Sequence, residues 1–545
     1  MSSESTAEHP EAQKGILGWI ERTGNALPDP VFIFFYLILA LVVISVVLAL
    51  MGVSVQLSNE VLAGLGDSGR ARFGIGEDGV ISVASLLSPA NLQQLLTQMP
   101  TTFTHFHPLG YVLVVMLGAG VAERAGLFGT AMRAGVRNAP KFLLTPVVAL
   151  IAMLGNHAAD AGYVVLIPLA GVLYAAAGRH PIAGIAAAFA GVSGGFSANV
   201  APGQLDALLF GITQAGVDLI NPGYLVNIAG NTYFIIGLLV FYLPIIWFVT
   251  DRMIEPRLGK WTGGAAPGGA MADDDDDPNA PLTAGQRKGL AWAGLATLAV
   301  IVVWAFFTIG PGTPLFNEDA ADAVTGLAPL FNSLVAGFFI LFIAAGTAYG
   351  VAAGTIKNHR DLVDMMSKAM GDMAYYLVLA FAAAHFVAMF GWSNLGLITA
   401  VTGAGVIESS GMPLPLVLAS LVLLTGFINL FVGSASAKWA LLAPVFVPMF
   451  MLLGVSPEAT TAAYRVGDSA TNIITPLMVY FPLILVFARR WIPGFGLGSL
   501  TAIMVPYSML MLVFGFVMML GWVYLGWPLG PGAGVEYVAP GVTGG

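Results

Sequence analysis

One predicted helix concentrates polar side chains in a chain that is 57% hydrophobic and only 9% charged. Arg465, Asp468, Ser469, Asn472 and Pro476 follow the i, i+3, i+4, i+7, i+11 spacing that places residues on one helical face. An ionisable group at membrane depth costs several kcal/mol unless it is paired or hydrated, so this face must contact protein or water. It is therefore a candidate binding surface.

The charges on this face suggest two roles. The planar guanidinium of Arg465 suits bidentate binding of a substrate carboxylate, but Asp468 lies one turn away and equally suits a structural ion pair. The pair could serve both purposes if protonation of Asp468 releases Arg465. Asp160, in the segment GNHAADAG, has no basic residue within one turn, so desolvation favours its protonated form and indicates a proton site. The alternative for Asp160 is a carboxylate that caps a half-helix.

The segment GSASAKWALLAP, residues 433–444, interrupts an apolar stretch and offers further groups. Trp439 could present its indole face to an aromatic substrate or could simply pack. Lys438 faces another side of the helix, which favours a snorkelling or structural role. Oxygen-bearing side chains could bind a sodium ion together with freed backbone carbonyls, or could pack helix contacts. These candidate cation ligands are Asn156, Asn199, Ser434, Ser436 and Asn472.

The elements that must position these residues are transmembrane helices, because a hydrocarbon core about 30 Å thick needs about 20 apolar residues per crossing. Two apolar stretches, 142–177 and 414–454, are each interrupted by a polar segment. The first arm of the earlier one spans only about 21 Å, so we expect both to form re-entrant hairpins. Two full crossings in place of either hairpin would fit the loop charges equally well. Nine further segments are predicted to cross the membrane: 31–53, 108–128, 181–199, 223–250, 290–309, 331–352, 373–391, 459–487 and 500–527.

Basic residues orient this layout, because lysine and arginine are retained on the cytoplasmic side. With a cytoplasmic N-terminus, all but four of the 21 basic residues lie inside; Arg70 and Arg72 lie outside, and Lys438 and Arg465 lie at membrane depth. The N-terminus lacks the features of a signal peptide, so we expect it to stay and to lie amphipathically at the surface. The acidic run 273–277 is interpreted as a solvated linker rather than a metal site.

An internal repeat organises the chain. A shift of 276 residues aligns Pro181 with Pro457 and Ser193 with Ser469. The charge layout turns the two copies upside down relative to each other, and inverted repeats with broken helices are typical of secondary transporters. The predicted organisation is an amphipathic N-terminus 1–30, scaffold helices 31–128 with an outer loop 54–107, a first repeat 129–250, a cytoplasmic linker 251–288, scaffold or core helices 289–391, a second repeat 392–490, and a last helix with an outer C-terminus 491–545.

Several functions are disfavoured by what the sequence lacks. Without cysteine there is no disulfide, no thiol chemistry and no cysteine-bound metal. No Walker motif, zinc signature or trio of nucleophile, base and orienting group is present, which argues against ATP-driven transport and against an enzyme. We expect no cofactor other than a coupling ion, H⁺ or Na⁺, no bound metal and no nucleic-acid partner.

Four segments resemble the AbgT family of p-aminobenzoyl-glutamate transporters: GNHAADAGYVVLIPLAG, AGVSGGFSANVAPGQLDALL, GSASAKWALLAPVFVPM and YRVGDSATNIITPLMVYFPL. The resemblance covers essentially the full chain. It implies an all-α polytopic protein of nine transmembrane helices and two hairpins, assembled as a homodimer with a bowl open to the cytoplasm. It also implies functional positions at Asp160, Ser436, Trp439, Pro457, Arg465, Asp468 and Pro476.

The combined interpretation is an ion-coupled secondary transporter of the bacterial inner membrane. The resemblance implies that it moves p-aminobenzoyl-glutamate or exports sulfonamide antimetabolites, which are small aromatic anionic substrates. We expect the substrate carboxylate or sulfonyl group near Arg465, its ring near Trp439, and ion coupling through Asp160 and Asp468. The alternative is a sodium-coupled importer of dicarboxylates or short peptides.

Overall fold

The computed structural model is almost entirely helical in the residues that it describes, which are 28–57, 62, 65, 70, 71, 73–137, 140–158, 162–261, 281–309, 312–320, 326–475, 477, 478 and 480–537. Within these ranges the one sheet is an antiparallel pair of short strands, β1 (Ser54–Gln56) and β2 (Val80–Ser82). Two predicted site residues, Asp160 and Pro476, lie outside the described residues, as do the acidic run 273–277 and the N-terminal 27 residues.

The helices of the first part of the chain are α1 Pro30–Leu50, α2 Pro89–Thr104, α3 His107–Arg124, α4 Leu127–Arg137, α5 Leu144–Leu154, α6 Ile167–Ala176, α7 Pro181–Phe189, α8 Gln204–Val217, α9 Thr232–Phe248 and α10 Glu255–Leu258. Single 3₁₀ or π turns extend several of them. These turns are Lys141–Leu143 and Gly155–Ala158 around α5, Gly162–Leu166 before α6, Ala190–Gly194 after α7, and Val249–Ile254 between α9 and α10.

The helices of the second part are α11 Ala284–Thr308, α12 Ala328–Asn332, α13 Leu334–Ala353, α14 His359–Asp372, α15 Ala374–Trp392, α16 Leu395–Ser409, α17 Leu414–Asn429, α18 Ala435–Leu452, α19 Pro457–Thr471, α20 Phe481–Trp491 and α21 Leu497–Tyr524. Helix α11 is apolar but almost wholly unburied, with Trp292 and Phe306 57% and 72% exposed, as expected of a helix that faces lipid.

Eight helical stretches of the described chain are long and apolar enough to cross a membrane. Seven of them confirm predicted spans, and these are α1, the run Pro89–Arg124, the run Thr232–Leu258, α11, α13, α15 and α21. The eighth is α18, which sequence analysis assigned to the return arm of the second hairpin. With 18 residues it covers about 27 Å, so re-entry of the stretch 414–454 stays a prediction.

Two predicted spans are wrong as continuous helices. In the span 181–199, helical structure ends at Gly194 and resumes only at Gln204; in the span 459–487, α19 ends at Thr471 and α20 begins at Phe481. Glycine and proline in the first break, and an asparagine and a proline in the second, disfavour helix there. Each repeat therefore contains a broken helix within a predicted span.

Residues 392–411 belong to none of the predicted spans, yet most of them form helix α16. Its small residues lower its hydropathy, but they allow close packing: a Cβ added to Gly403 would lie 2.6 Å from Met449 Sδ on α18. Helices α16 and α17 meet at a bend of 119°, and α4 and α5 meet at a bend of 120° in the first repeat. The two repeats thus share a sharply bent entry into their interrupted stretch.

Two glycine turns show the repeat in the backbone. Gly178 and Gly454, which are 276 positions apart, both have a φ of 79°. Gly178 N donates to Ala175 O and Gly454 N donates to Met451 O, each at 3.0 Å. Since positive φ favours glycine, both repeats need glycine at this position. Three residues later the broken helices α7 and α19 begin, each on a proline.

The broken helices occupy the centre of the protein. All fifteen residues of α19 and all nine of α7 are buried, although α19 carries several charged and hydroxyl side chains. The two repeats contact each other where Ser197 N, just beyond the end of the first broken helix, donates to Ser469 Oγ of α19 at 3.0 Å. The polar face predicted from the sequence therefore points into protein.

Candidate functional site

Local sequence explains where α19 begins. Ser456 precedes the first turn, and its Oγ accepts a hydrogen bond from Ala459 N, while Pro457 occupies the first helical position. Serine at the N-cap and proline at the next position are both favoured at helix starts. This start sets the rotation of the helix and hence the direction of its polar face.

Arg465 forms an ion pair with Asp206 rather than with Asp468. Its Nη1 lies 2.6 Å from Asp206 Oδ1, and both side chains are more than nine-tenths buried. Asp206 Oδ2 also accepts from Gly203 N at 2.8 Å, so the same carboxylate caps α8. The predicted alternative of a structural pair within α19 is wrong, because a closer carboxylate reaches Arg465 from the first repeat.

Asp468 forms an ion pair with Lys438. The ammonium Nζ lies 2.5 Å from Asp468 Oδ1 and also donates to Asn429 Oδ1. The lysine side chain is 0% exposed, so it does not snorkel; of the two roles predicted for it, only the structural one agrees with its contacts. Lys438 therefore ties α18 to both α17 and α19.

Trp439 is packed on both its face and its edge. Its indole stacks on Tyr464 with ring centroids 4.3 Å apart, and its Nε1 donates to Thr213 Oγ1 at 2.9 Å. The side chain is 0% exposed. The indole face that could bind an aromatic ring is thus covered by Tyr464 in this conformation.

A chain of hydrogen bonds continues from Trp439 across the two repeats. Thr213 Oγ1 and Thr461 Oγ1 are 2.8 Å apart, and Thr461 Oγ1 donates to Pro457 O. Because the single hydroxyl hydrogen of Thr461 is used on this carbonyl, Thr213 is the donor between the two threonines. The predicted binding residues Trp439 and Pro457 are thereby linked through two hydroxyls that sequence analysis did not identify.

A narrow cavity lies beside these groups, with room for about one water-sized group. Two buried polar atoms of its lining residues have no hydrogen-bond partner among the described residues, Arg465 Nε and Asn231 Oδ1. Buried polar atoms normally have a hydrogen-bond partner, so these two atoms are candidates to bind a ligand. The polar residues that line the cavity are Asp206, Thr213, Asn227, Asn231, Thr461 and Arg465.

The predicted cation ligands form hydrogen bonds with groups of their own repeat. Asn156 Nδ2 and Asn199 Nδ2 both donate to Met153 O, at 2.9 and 3.5 Å, beside the first interruption. At the second interruption, Ser434 caps α18 and lies 3.3 Å from the Ser436 hydroxyl.

Asn472 Oδ1 accepts from Asn429 Nδ2 and is used within the protein. No group of three or more His, Asp or Glu side chains suited to a metal ion occurs in the part of the chain that is described. At the second interruption, the Lys438 ammonium is the positive charge that contacts the side-chain oxygens of Asp468 and Asn429.

Several buried residues of the site escaped sequence analysis. Asp206 and Asn231 lie outside the two interrupted stretches, and Asn429 lies at the end of an apolar helix. Glu458 is 2% exposed and accepts from Tyr224 Oη at 3.0 Å, next to the cavity. The sequence does contain one indication of these residues. Asp206 is an acidic residue within the apolar segment GQLDALLF, which marks it as a candidate functional residue.

A wider, open cavity lies at the opposite end of α8, lined by Thr101, His105, Asp218 and Trp392 among others. Asp206 and Asp218 are twelve positions apart, which is about 18 Å along a helix. The buried ion pairs and the unpartnered atoms are at the Asp206 end. We therefore assign the candidate site to the narrow cavity, because it holds the buried ion pair and the unpartnered atoms, although the other cavity is wider.

Comparison with known proteins agrees with this arrangement. A model of the AbgT transporter family matches residues 15–537. The p-aminobenzoyl-glutamate transport protein of Escherichia coli strain K12 is 35% identical over 523 residues, which are 96% of this chain and 97% of that protein.

Two solved structures share the fold. The YdaH transporter of Alcanivorax borkumensis superimposes with a TM-score of 0.83 and 40% identity, over 92% of this chain and 100% of that one. MtrF of Neisseria gonorrhoeae, from a class of antimetabolite efflux pumps, gives a TM-score of 0.85 and 39% identity over 95% and 100%. The all-α polytopic transporter fold predicted from the sequence is confirmed, as is transport rather than enzymatic activity.

Proposed function

Because the chain belongs to the AbgT transporter family, we propose that it is a proton-coupled secondary transporter of p-aminobenzoyl-glutamate and of sulfonamide antimetabolites. The E. coli relative is a p-aminobenzoyl-glutamate transport protein, and the Neisseria neighbour belongs to antimetabolite efflux pumps. Both substrate classes carry an aromatic ring beside a polar or anionic group. The site combines a buried aromatic pair, Trp439 with Tyr464, and a buried arginine, Arg465.

The observation that carries this proposal is the Arg465–Asp206 ion pair between the two repeats. A substrate carboxylate or sulfonyl group can replace Asp206 as the partner of the guanidinium, since both are acceptors for Arg donors. Replacement would separate α19 from α8 and open the narrow cavity. Substrate binding is thereby linked to movement of one repeat against the other, as alternating access requires.

The Lys438–Asp468 pair supplies the coupling site in this proposal. The lysine ammonium already contacts the carboxylate and amide oxygens that a sodium ion would need at the second interruption. Protonation of Asp468 removes the negative partner of Lys438, and so weakens the contact between α18 and α19. We therefore propose H⁺ rather than Na⁺ as the coupling ion, with Asp160 as a second proton site.

The proposed setting is the bacterial inner membrane, with the protein acting as a homodimer. The predicted excess of basic residues on one side of the membrane supports a cytoplasmic N-terminus. Exposed apolar helices such as α11 offer surface for lipid and for a second copy.

Transport in proteoliposomes tests this function. We expect uptake of radiolabelled p-aminobenzoyl-glutamate and sulfonamide to respond to an imposed proton gradient and not to an imposed sodium gradient. Asp468→Asn should abolish the response, whereas Asp364→Asn, a matched change at an exposed surface pair with Lys368, should leave it intact.

Two results would contradict the proposal. Uptake that follows only the sodium gradient would favour the alternative, a sodium-coupled importer of dicarboxylates or short peptides. Flux that never runs against a concentration gradient would indicate a channel.

A further inference from the structure

Asn231 is placed as a helix cap but does not act as one. It immediately precedes α9, where an asparagine side chain normally accepts a hydrogen bond from the first turn. Its side chain makes no such bond, and its Oδ1 is buried without a partner among the described residues. The carbonyl oxygen of this side chain can therefore accept a hydrogen bond from a group outside α9.

Arg465 is incompletely used in the same cavity. Its Nη1 binds Asp206, but its Nε is buried without a partner in the described part of the chain. The side chains of Asn231 and Arg465 are 7% and 3% exposed, and both line the narrow cavity. The residues that line the cavity thus include one hydrogen-bond donor, Arg465 Nε, and one acceptor, Asn231 Oδ1, that have no partner in the described part of the chain.

This pair of atoms favours a ligand group that carries both a hydrogen-bond acceptor, for Arg465 Nε, and a hydrogen-bond donor, for Asn231 Oδ1. A carboxylate only accepts and an ammonium only donates, so neither satisfies both atoms. An amide, with C=O beside N–H, does so, and a sulfonamide, with S=O beside N–H, does so in the same way. p-Aminobenzoyl-glutamate contains the first linkage and sulfonamide antimetabolites contain the second.

We propose that Asn231 and Arg465 together recognise the amide or sulfonamide linkage of the substrate, with Arg465 Nε–H on the oxygen and Asn231 Oδ1 on the N–H. This inference rests on the proposed function and explains how one site serves both substrate classes. Asn231 is then a specificity-determining residue. The linkage enters when the repeats move apart, because the cavity in this conformation has room for about one water-sized group.

The test compares p-aminobenzoyl-glutamate with its ester analogue, in which oxygen replaces the amide nitrogen. The ester keeps the ring, the carbonyl and the glutarate carboxylates but lacks the N–H. In proteoliposomes we expect the wild-type protein to move the amide about tenfold faster than the ester, since the ester leaves Asn231 Oδ1 unpaired. In Asn231→Leu the amide rate should fall to the ester rate, while the ester rate stays within about twofold.

Asn221→Leu is the matched control. Asn221 is similarly buried, at 8% exposure, but its Nδ2 donates to Tyr537 Oη and its Oδ1 accepts from Gly223 N. Because its groups are used inside the protein, this change should leave the amide-to-ester ratio as in the wild type. Asn231→Ala serves as a second variant if the leucine variant does not fold.

The outcomes separate the two proposals. If the wild type moves neither compound, the proposed function fails and this inference fails with it. If the wild type moves both at the same rate, or Asn231→Leu keeps the preference or loses both rates equally, the inference alone is wrong. If a water molecule were the only partner of the two atoms, the wild type would move the amide and the ester at equal rates.

Discussion

Lys438 Nζ and Asp468 Oδ1 lie 2.5 Å apart in an ion pair whose side chains are 0% and 3% exposed. The pair joins α18 to α19, and Asn429 at the end of α17 accepts from the same ammonium. A buried charge is tolerated while its partner is present and is strongly unfavourable alone. Stability and the proton coupling that we propose therefore depend on the same contact.

Removing one partner of this pair should destabilise the protein more than removing both. We expect Lys438→Met or Asp468→Leu alone to lower the free energy of unfolding by about 3–5 kcal/mol, because an uncompensated buried charge remains. The double variant should return to within about 1–2 kcal/mol of the wild type. Unfolding in detergent, followed by circular dichroism, measures all four proteins.

The same double variant separates folding from coupling. It should bind substrate but show no response to a proton gradient. A double variant as unstable as the single ones would mean that packing, rather than charge, explains these residues.

Arg465→Lys tests whether a charge suffices at this position. Lysine can keep a charge opposite Asp206 but lacks the planar set of donors, so we expect the protein to fold and transport to fall at least about tenfold. Normal transport by this variant would contradict the proposed role of the guanidinium. Arg489→Lys is a control, because Arg489 Nε donates to Phe495 O away from the cavity.

The hydrogen bond from Trp439 to Thr213 should be measurable as a coupling energy. Trp439→Phe retains an aromatic ring against Tyr464 but loses the N–H, and Thr213→Val loses the acceptor. A double-mutant cycle on unfolding free energy should give a coupling of about 1 kcal/mol. Additive effects would show that the two side chains do not bind each other in the membrane.

The two repeat glycines should respond alike to substitution. Gly178→Ala and Gly454→Ala each force a side chain into positive φ, at a cost of about 1–2 kcal/mol of stability. Gly405→Ala is the control, because Gly405 lies within helix α16 with open space around it and alanine should be neutral or stabilising there. Unequal losses at the two turns would weaken the structural equivalence of the repeats.

Helix α14 should lose its N-terminal cap in acid. Hydrogen bonds from the amides of Lys357 and Asn358 lower the pKa of Asp361 below its ordinary value of 3.8. A lowered pKa means that this stabilisation is complete above about pH 4 and is lost as the pH falls through the folded pKa. Protection of the first-turn amides of α14 against exchange, measured relative to an unstructured chain at the same pH, should therefore fall only below about pH 4, and Asp361→Asn should remove that pH dependence.

Helical spacing correctly grouped Arg465, Asp468 and Ser469 on α19, although the helix ends before Asn472, and it did not predict their partners. Arg465 and Asp206 are 259 positions apart, and spacing within one helix carries no information about a carboxylate on another. For Lys438 the sequence left a snorkelling and a structural role open, because hydropathy alone does not indicate that Asn429 and Asp468 would satisfy its ammonium. The sequence could therefore identify which residues are costly to bury, and the fold had to show how each is paired.

Continuous hydropathy concealed the breaks in the central helices. The segments 181–199 and 459–487 are apolar enough on average to resemble single crossings, although glycine, asparagine and proline interrupt both. Loss of helix at these points depends on neighbouring backbone that can accept the freed amides. The repeat, in contrast, was readable from Pro181 and Pro457, because these residues begin equivalent helices.

The row of hydrogen bonds through Thr213 and Thr461 has a fixed polarity. It begins on an indole N–H, which can only give a hydrogen, and it ends on the Pro457 carbonyl, which can only receive one. Neither hydroxyl can turn its hydrogen toward the cavity without losing one of these hydrogen bonds. Toward a ligand in the cavity, each hydroxyl can therefore act only as a hydrogen-bond acceptor. A ligand that docks on this wall must bring its own hydrogens, as an aromatic amine does.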